Sequence, residues 1–276
     1  MNKTEVYGER SEIAVYVSQK IREDIPIDGD LNKPVWQKAV KSNRFVDMAD
    51  GGPAMYDTRA AVLWSDEKLY IAFWAEEPYV SAAQTERDSL IFLDNDLEVF
   101  IDGGDAYYEL EINALNTLYE VFFIWKDAYQ KGGRFDVPEF DVYKEKAMTF
   151  GGNYDRNADT FWWGTHPRGL RWAFLDYDLP GLETAVRIDG KINDSSQVDK
   201  GWTLEIAIPW QSLKWLANGR SLPPQDGDDW RIFFGRFEKL MAAGQEMDPH
   251  PAWAMNKHGV YDTHIPESFS RVLFKV

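Results

Sequence analysis

Two neighbouring segments constrain this chain more than any others. Leu97-Glu98-Val99-Phe100-Ile101-Asp102 is followed closely by Tyr108-Glu109-Leu110-Glu111-Ile112-Asn113. Strand side chains alternate between faces with a period of two. Leu97, Val99 and Ile101 therefore share one face, and Glu98, Phe100 and Asp102 share the other. In the next strand Tyr108, Leu110 and Ile112 go one way, while Glu109, Glu111 and Asn113 go the other. Once the strands pair, their carboxylates and amide line a common face behind an apolar one. The chain must form a sheet here, and one side of it must be rich in hydrogen-bonding groups.

The rest of the sequence extends the pattern. Residues 58–64 and 69–74 are β-rich runs around the polar loop Ser65-Asp66-Glu67-Lys68, the signature of a hairpin. Further strands are expected at 118–125, 184–188, 202–208, 230–238 and 269–275. Helical patterning is confined to about 31–40, where Pro34 suits a first turn, and 210–217. Many strands and few helices predict an all-β fold, an antiparallel β-sandwich of jelly-roll type. Residues 1–25 read as an N-terminal arm and 26–276 as one domain. Within it, 126–182 forms a long decorated loop, rich in Gly, Asp and aromatics, including Phe161-Trp162-Trp163-Gly164 and Arg171-Trp172.

Composition removes several function classes. Lys and Arg total 30 and Asp and Glu total 46, for a formal net charge of −16. Nucleic acids and anionic membranes need a positive field, so neither is an expected partner. With no cysteine, there are no disulfides or thiolate metal sites. The four histidines, His166, His250, His258 and His264, form no His-x-x-x-His helix. Gly-rich phosphate loops and nucleophile elbows are also missing. Met1-Asn2-Lys3-Thr4-Glu5-Val6-Tyr7 lacks the apolar run of a signal peptide, so the expectation is a cytoplasmic chain or a mature exported form. No oligomeric state follows from the sequence.

Several segments, in order, resemble the family 9 carbohydrate-binding modules and their stand-alone relatives. They are Ile27-Asp28-Gly29-Asp30-Leu31-Asn32-Lys33-Pro34-Val35-Trp36, Val62–Ile71, Asp94–Asp102, Tyr107–Ala114 and Gly201–Trp210. The resemblance covers about residues 26–276. It implies a β-sandwich with structural calcium and a sugar site on the concave sheet. Glu98 matches that family's sugar-binding Glu. The first of its two sandwiching tryptophans falls near Phe92, and the second near Thr263 or His264, where this chain has no Trp. Its Arg on the next strand corresponds to Glu111.

The expected function is non-catalytic binding of an oligo- or polysaccharide. Carboxylates accept hydrogen bonds from adjacent sugar hydroxyls, and an Arg donates in a fork. The expected polar set is Glu98, Glu109, Glu111, Asn113, Glu120 and Glu205, with Arg236 as partner. Aromatic faces suit the C–H faces of pyranose rings, and the expected walls are Phe92, Trp162, Trp163, Trp172, Trp253 and His264, with Trp125 and Tyr119 as further stacking candidates. Calcium takes six to eight oxygen ligands; acidic turns at Asp94-Asn95-Asp96 and Asp102-Gly103-Gly104-Asp105 are its expected seats, with Asn193-Asp194 to Asp199 a third acidic loop. The alternative is a glycoside hydrolase that uses Glu98 and Glu111 as its carboxyl pair.

Overall fold

The computed structural model describes residues 13–151, 166–243 and 245–276. In chain order the elements are β1 (Val15–Lys20), α1 (Pro34–Lys38), β2 (Val46–Asp47), β3 (Thr58–Trp64), β4 (Lys68–Glu76), β5 (Asp96–Asp102), β6 (Ala106–Asn113), β7 (Leu118–Trp125), β8 (Ala147–Phe150) and β9 (Arg171–Phe174). They continue with β10 (Glu183–Asp189), β11 (Gly201–Pro209), α2 (Lys214–Ala217), β12 (Asp229–Phe237), β13 (Met241–Ala242), β14 (Gln245–Glu246), β15 (Ala252–Ala254) and β16 (Ser270–Lys275). Every strand expected from alternation is present, within two residues at each end. Among the described residues, no helix is long and apolar enough to cross a membrane.

Most strands form one hydrogen-bonded path, β10-β11-β4-β3-β1-β16-β12-β5-β6-β7-β9-β8, with β15 attached to β12 and β2 to β15, while β13 and β14 pair separately. The path doubles over so that β3, β4 and β11 lie against β5, β6 and β12. Phe73 of β4 meets Phe234 of β12 at 6.1 Å between ring centroids. The core between the layers takes Val62, Ile71, Phe73, Leu204 and Ile206 from one side and Leu97, Val99, Ile101, Leu110, Ile112 and Phe234 from the other. Each such side chain contributes about 1.5–3 kcal/mol on full burial. These are the apolar partners in the alternation read from the sequence.

The sheet is mixed rather than purely antiparallel. β1 runs parallel to β16 from Val15, opposite Arg271, to Gln19, opposite Lys275. At Gln19 and Lys20 it also pairs in parallel with Leu63 and Trp64 of β3. Part of the expected arm is therefore a strand that joins the two layers. The expected irregular stretch 126–182 likewise contributes β8 and β9, which extend the second layer beyond β7.

The opening turn is tied to the outer face of the first layer by Glu205 of β11. This fully buried carboxylate accepts from Trp36 Nε1 at 2.6 Å, from the backbone N–H groups of Asp28 and Gly29 at 3.0 and 2.9 Å, and from Lys33 Nζ at 2.6 Å. Gly29 has φ +76°, and a Cβ there would lie 2.8 Å from the Val186 carbonyl carbon, so only glycine fits the turn. Glu205 thus belongs to a structural anchor on the sheet opposite the Glu98 face.

Replacing Glu205 with Ala leaves the Trp36 indole and two backbone N–H groups without their acceptor and takes from Lys33 its buried partner, leaving it Asp28. Glu205→Ala should lower stability by about 3–5 kcal/mol, as for other broken buried pairs. Urea denaturation monitored by tryptophan fluorescence measures this, and a loss below about 1 kcal/mol would contradict the anchoring role.

Candidate functional site

The second layer has a different outer face. Every residue of β6 is buried, so both sides of this strand are covered. Register builds the face row by row. Glu98 lies opposite Glu111, and Glu111 opposite Tyr119. Phe100 lies opposite Glu109, and Asp96 opposite Asn113. On the far side of β5, Gly235 of β12 lies opposite Glu98. Phe100, Tyr107, Phe123, Trp125, Phe233 and Phe269 form an apolar cluster over one end of the face. The acids occupy the other end.

A cleft of about 430 Å³ opens over those acids. Glu98, Glu109 and Glu111 line it, together with the aromatic rings of Phe92, Tyr119, Phe237 and Tyr261 and, from the 250–264 segment, His250, Thr263 and His264. Phe92, 39% exposed, stands edge-on to Tyr119 at 5.9 Å. Tyr261 stands edge-on to Phe237 at 5.7 Å. The acids lie deep, with Glu98 and Glu111 2% exposed, Glu109 4% and Asp96 fully buried. Glu98 Oε2, Glu111 Oε2 and Asp96 Oδ2 make no hydrogen bond. Among the described residues, Asp96 accepts from the Phe237 N–H, 3.2 Å from Oδ1.

Burial dominates the electrostatics. It pushes the Glu109 carboxyl up to about 8; a hydrogen bond with Glu111 and the nearby Arg171 oppose the shift, while Asp96 and Asp262 add to it. Burial, reinforced by like-charged neighbours, drives Glu98, Glu111 and Asp96 upward as well. His264 moves in the other sense: burial, aided by the nearby Arg171, holds its imidazole well below the usual histidine range. Its Nδ1 lies 3.1 Å from the Tyr107 hydroxyl. Burial keeps Tyr107 protonated and the His264 ring neutral, so the contact is a hydrogen bond between two uncharged groups.

The structure gathers some of the expected residues and scatters others. Glu98, Glu109, Glu111, Phe92 and His264 converge on the cleft. Asn113 shares their face at its margin, but its amide is fully engaged. It donates to Gln84 O and Asp94 Oδ2 and accepts from the Leu115 and Thr117 N–H groups. Arg236 does not reach the face. It follows Gly235 by one residue, so it points between the layers and pairs with Glu77 and Glu238 at 3.2 and 2.7 Å. Trp253, opposite Arg236, packs in that interlayer space against Tyr56. Glu120 also faces inward, accepting from Tyr108 Oη at 2.6 Å and the Leu179 N–H at 2.9 Å and pairing with Arg87.

Trp172 is misplaced by the same one-residue parity. It lies opposite Ile124 of the interlayer core, with Lys126 Nζ 4.0 Å above its ring. Its neighbour Arg171 takes the cleft side of the sheet. Arg171 is fully buried, lies 4.3 Å from the Trp125 ring and donates to His264 O at 2.8 Å. Arg171 therefore braces the cleft wall, a role that only the β7–β9 register reveals. Trp162 and Trp163 lie outside the described residues.

The acidic turns are spent largely on the protein itself. Asp94 Oδ2 accepts from the Ala83 and Gln84 N–H groups and from Asn113. Asp102 accepts from the Gly104 N–H, and Asp105 pairs with Arg134 and Arg168. Asp199, in the third acidic loop, accepts from the Val80 and Lys191 N–H groups. The carboxylates that do converge, within 4.8 Å of one another, are Asp96, Glu98 and Glu111.

Solved proteins share this architecture. A candidate carbohydrate-binding protein from Bacteroides uniformis superimposes over 95% of this chain and 100% of its own, with a TM-score of 0.56 and 13% identity. A family 9 carbohydrate-binding module from Caldicellulosiruptor kristjanssonii, solved with cellotriose, superimposes over 95% of this chain and 93% of its own, with a TM-score of 0.52 and 12% identity. At these identities the likeness is one of fold. No protein-family model and no curated protein matches the chain.

The raised acids fix the sign of a pH effect. A carboxyl with a raised folded-state pKa holds its proton more tightly when folded. Its stabilising contribution is complete below the unfolded value of 4.5 and is lost as pH climbs through about 8 for Glu109. In chelator-containing buffer, the melting temperature should fall from about pH 5 to about pH 8. Glu109→Gln should flatten that slope by at least one pKa unit's worth, about 1.4 kcal/mol. Thermal melts across this range check it, and a wild-type curve that rises with pH would contradict the assignment.

Proposed function

We propose that the cleft over β5, β6 and β7 binds a carbohydrate without altering it chemically. The observation that carries this reading is the pair of orphaned oxygens on its floor, Glu98 Oε2 and Glu111 Oε2. A buried polar atom without a partner costs free energy, about 1–3 kcal/mol. A saccharide supplies the missing partners, because each hydroxyl both donates and accepts. The walls fit the same ligand. Phe92, Tyr119, Phe237 and Tyr261 offer aromatic surface to the C–H face of a pyranose ring. The cleft volume falls in the range of small-ligand sites, and a protein of the same fold was solved with cellotriose.

The hydrolase alternative draws on the directly opposed pair, Glu98 and Glu111. Glycosidases use environments that separate two carboxyls, keeping one protonated and one ionised. Here burial moves all the cleft acids in the same direction. That common shift supports binding over hydrolysis.

A glycan array that includes cellotriose, followed by calorimetry on the hits, tests the proposal. Glu98→Ala should weaken binding about 5- to 150-fold, the equivalent of roughly 1–3 kcal/mol for leaving a buried hydrogen-bonding partner unsatisfied. Trp253→Phe, altered in the interlayer core, should leave affinity unchanged. Chromatography after long incubation should recover the bound saccharide intact. Full affinity in a folded Glu98→Ala protein would remove this cleft as the site, and cleaved product would favour the hydrolase.

A further inference from the structure

We propose that the outer face of the first layer, across the sandwich from the cleft, carries a second binding groove that takes a sugar ring bearing a single carboxylate. Register lays out its floor. Arg59 of β3, Trp74 of β4, Thr203 of β11 and Arg187 of β10 stand opposite one another in one row across the sheet. Phe73 and Leu204 belong to the interlayer core, so Trp74 and Thr203 face outward. The next row brings together Glu76, Gly201 and Asp189. Gly201 adds no side chain to it, and a Cβ there would lie 1.9 Å from the Ala75 carbonyl oxygen. The floor therefore stays open beside the half-buried Trp74 indole, in a groove of about 580 Å³. That is the size of a small-ligand site. Asn32 of the opening turn and Lys41, from the loop after α1, stand at its walls.

The charges select the ligand. Arg59 pairs with Asp57 at 3.1 Å, Arg187 with Asp30 at 2.7 Å and Lys200 with Asp189 at 3.0 Å. Lys41 has no acid partner among the described residues, although the chain carries a formal net charge of −16. Its ammonium lies over the Trp74 ring, 3.9 Å from the centroid. Burial, aided by the nearby Arg59, holds that ammonium below the usual lysine range, against the pull of Asp57. A cation crowded by another cation is relieved by an anion, and one carboxylate is enough. Lys41 is exposed on a flexible stem, so its ammonium can follow the carboxylate while the sugar takes its place on the indole. The indole suits the C–H face of a pyranose, and Glu76 and Asn32 can exchange hydrogen bonds with its hydroxyls. A phosphate or an acidic peptide would set further negative charge against Asp57, Glu76 and Asp189. The cleft, floored by Glu98, Glu109 and Glu111, disfavours a carboxylate. Nothing in the groove depends on what the cleft binds.

Calorimetry on the full chain tests this with two probes, xylobiose carrying one glucuronosyl branch and uncharged xylotriose. The acidic probe should bind about threefold to fivefold more tightly, the worth of one partly exposed ion pair. Raising sodium chloride from about 50 to about 500 mM should remove most of that preference. Lys41→Glu, at an exposed position, should reverse it. Lys126→Glu makes the same charge change at another lysine over a tryptophan, Trp172, and should keep it. Trp74→Ala should weaken the acidic probe about tenfold, and if that variant fails to fold, Lys41→Glu still decides. The loss caused by Lys41→Glu should be the same in a Glu98→Ala background, which separates the groove from the cleft. A loss that vanishes in that background places the probe in the cleft and overturns the groove. So do equal binding of the two probes, a preference that survives Lys41→Glu, and no binding of the acidic probe at millimolar concentration. Tighter binding of triglutamate than of the acidic probe overturns the assignment to a sugar.

Discussion

The pairing of β5 with β6 is the constraint on which the rest depends. Its register sets Glu98 opposite Glu111 and, by the same ladder, Leu97 opposite Ile112. One face is thereby given to the interlayer core and the other to acids. A slip of one residue would exchange the two faces and bury the carboxylates between the layers. Burial of Leu97, Val99, Ile101, Leu110 and Ile112 on the core side holds the acids where they are, although their own environment opposes charge. The hydrophobic effect maintains a polar site that would not assemble by itself.

Two buried carboxylates in this protein show how much depends on the donors around them. Glu205 is surrounded by an indole N–H, two backbone N–H groups and a lysine, and it fastens the opening turn to the first layer. Glu98 is equally buried, but acids surround it and one of its oxygens has no donor. The first arrangement is complete within the folded chain. The second is complete only with something added to it, whether proton, cation or hydroxyl. Similar burial thus serves stability in one layer and, on the proposed reading, binding in the other.

Much of the fold was legible because period-two alternation and the turn residues both report local backbone geometry. The hairpin at 58–74, the acidic pair of strands, and Glu98, Glu109 and Glu111 all followed from it. Phe92 and His264 came from the family resemblance. What stayed hidden was non-local. Arg236 and Gly235 are neighbours in sequence, and only the pairing of β12 with β5 decides which one meets Glu98. Arg171 and Trp172 pose the same choice across β7 and β9. Glu120 and Glu205 read as equivalent to Glu98 until the layers assign them different faces. The expected arm concealed β1 because a parallel pairing with β16 leaves no hairpin turn for the sequence to display.

That parallel pairing also sets how the fold carries load. The chain enters β1 beside Arg271 and leaves β16 beside Gln19, at opposite ends of the same two-stranded ribbon. Tension applied through sequence attached on either side would draw the two strands lengthwise past each other. Their hydrogen bonds would then be strained together rather than opened one at a time from an end. The seam that closes the sandwich is accordingly loaded in shear, the direction in which a β ladder resists most, and the cleft on the neighbouring strands would keep its shape while the molecule is held under tension by its ends.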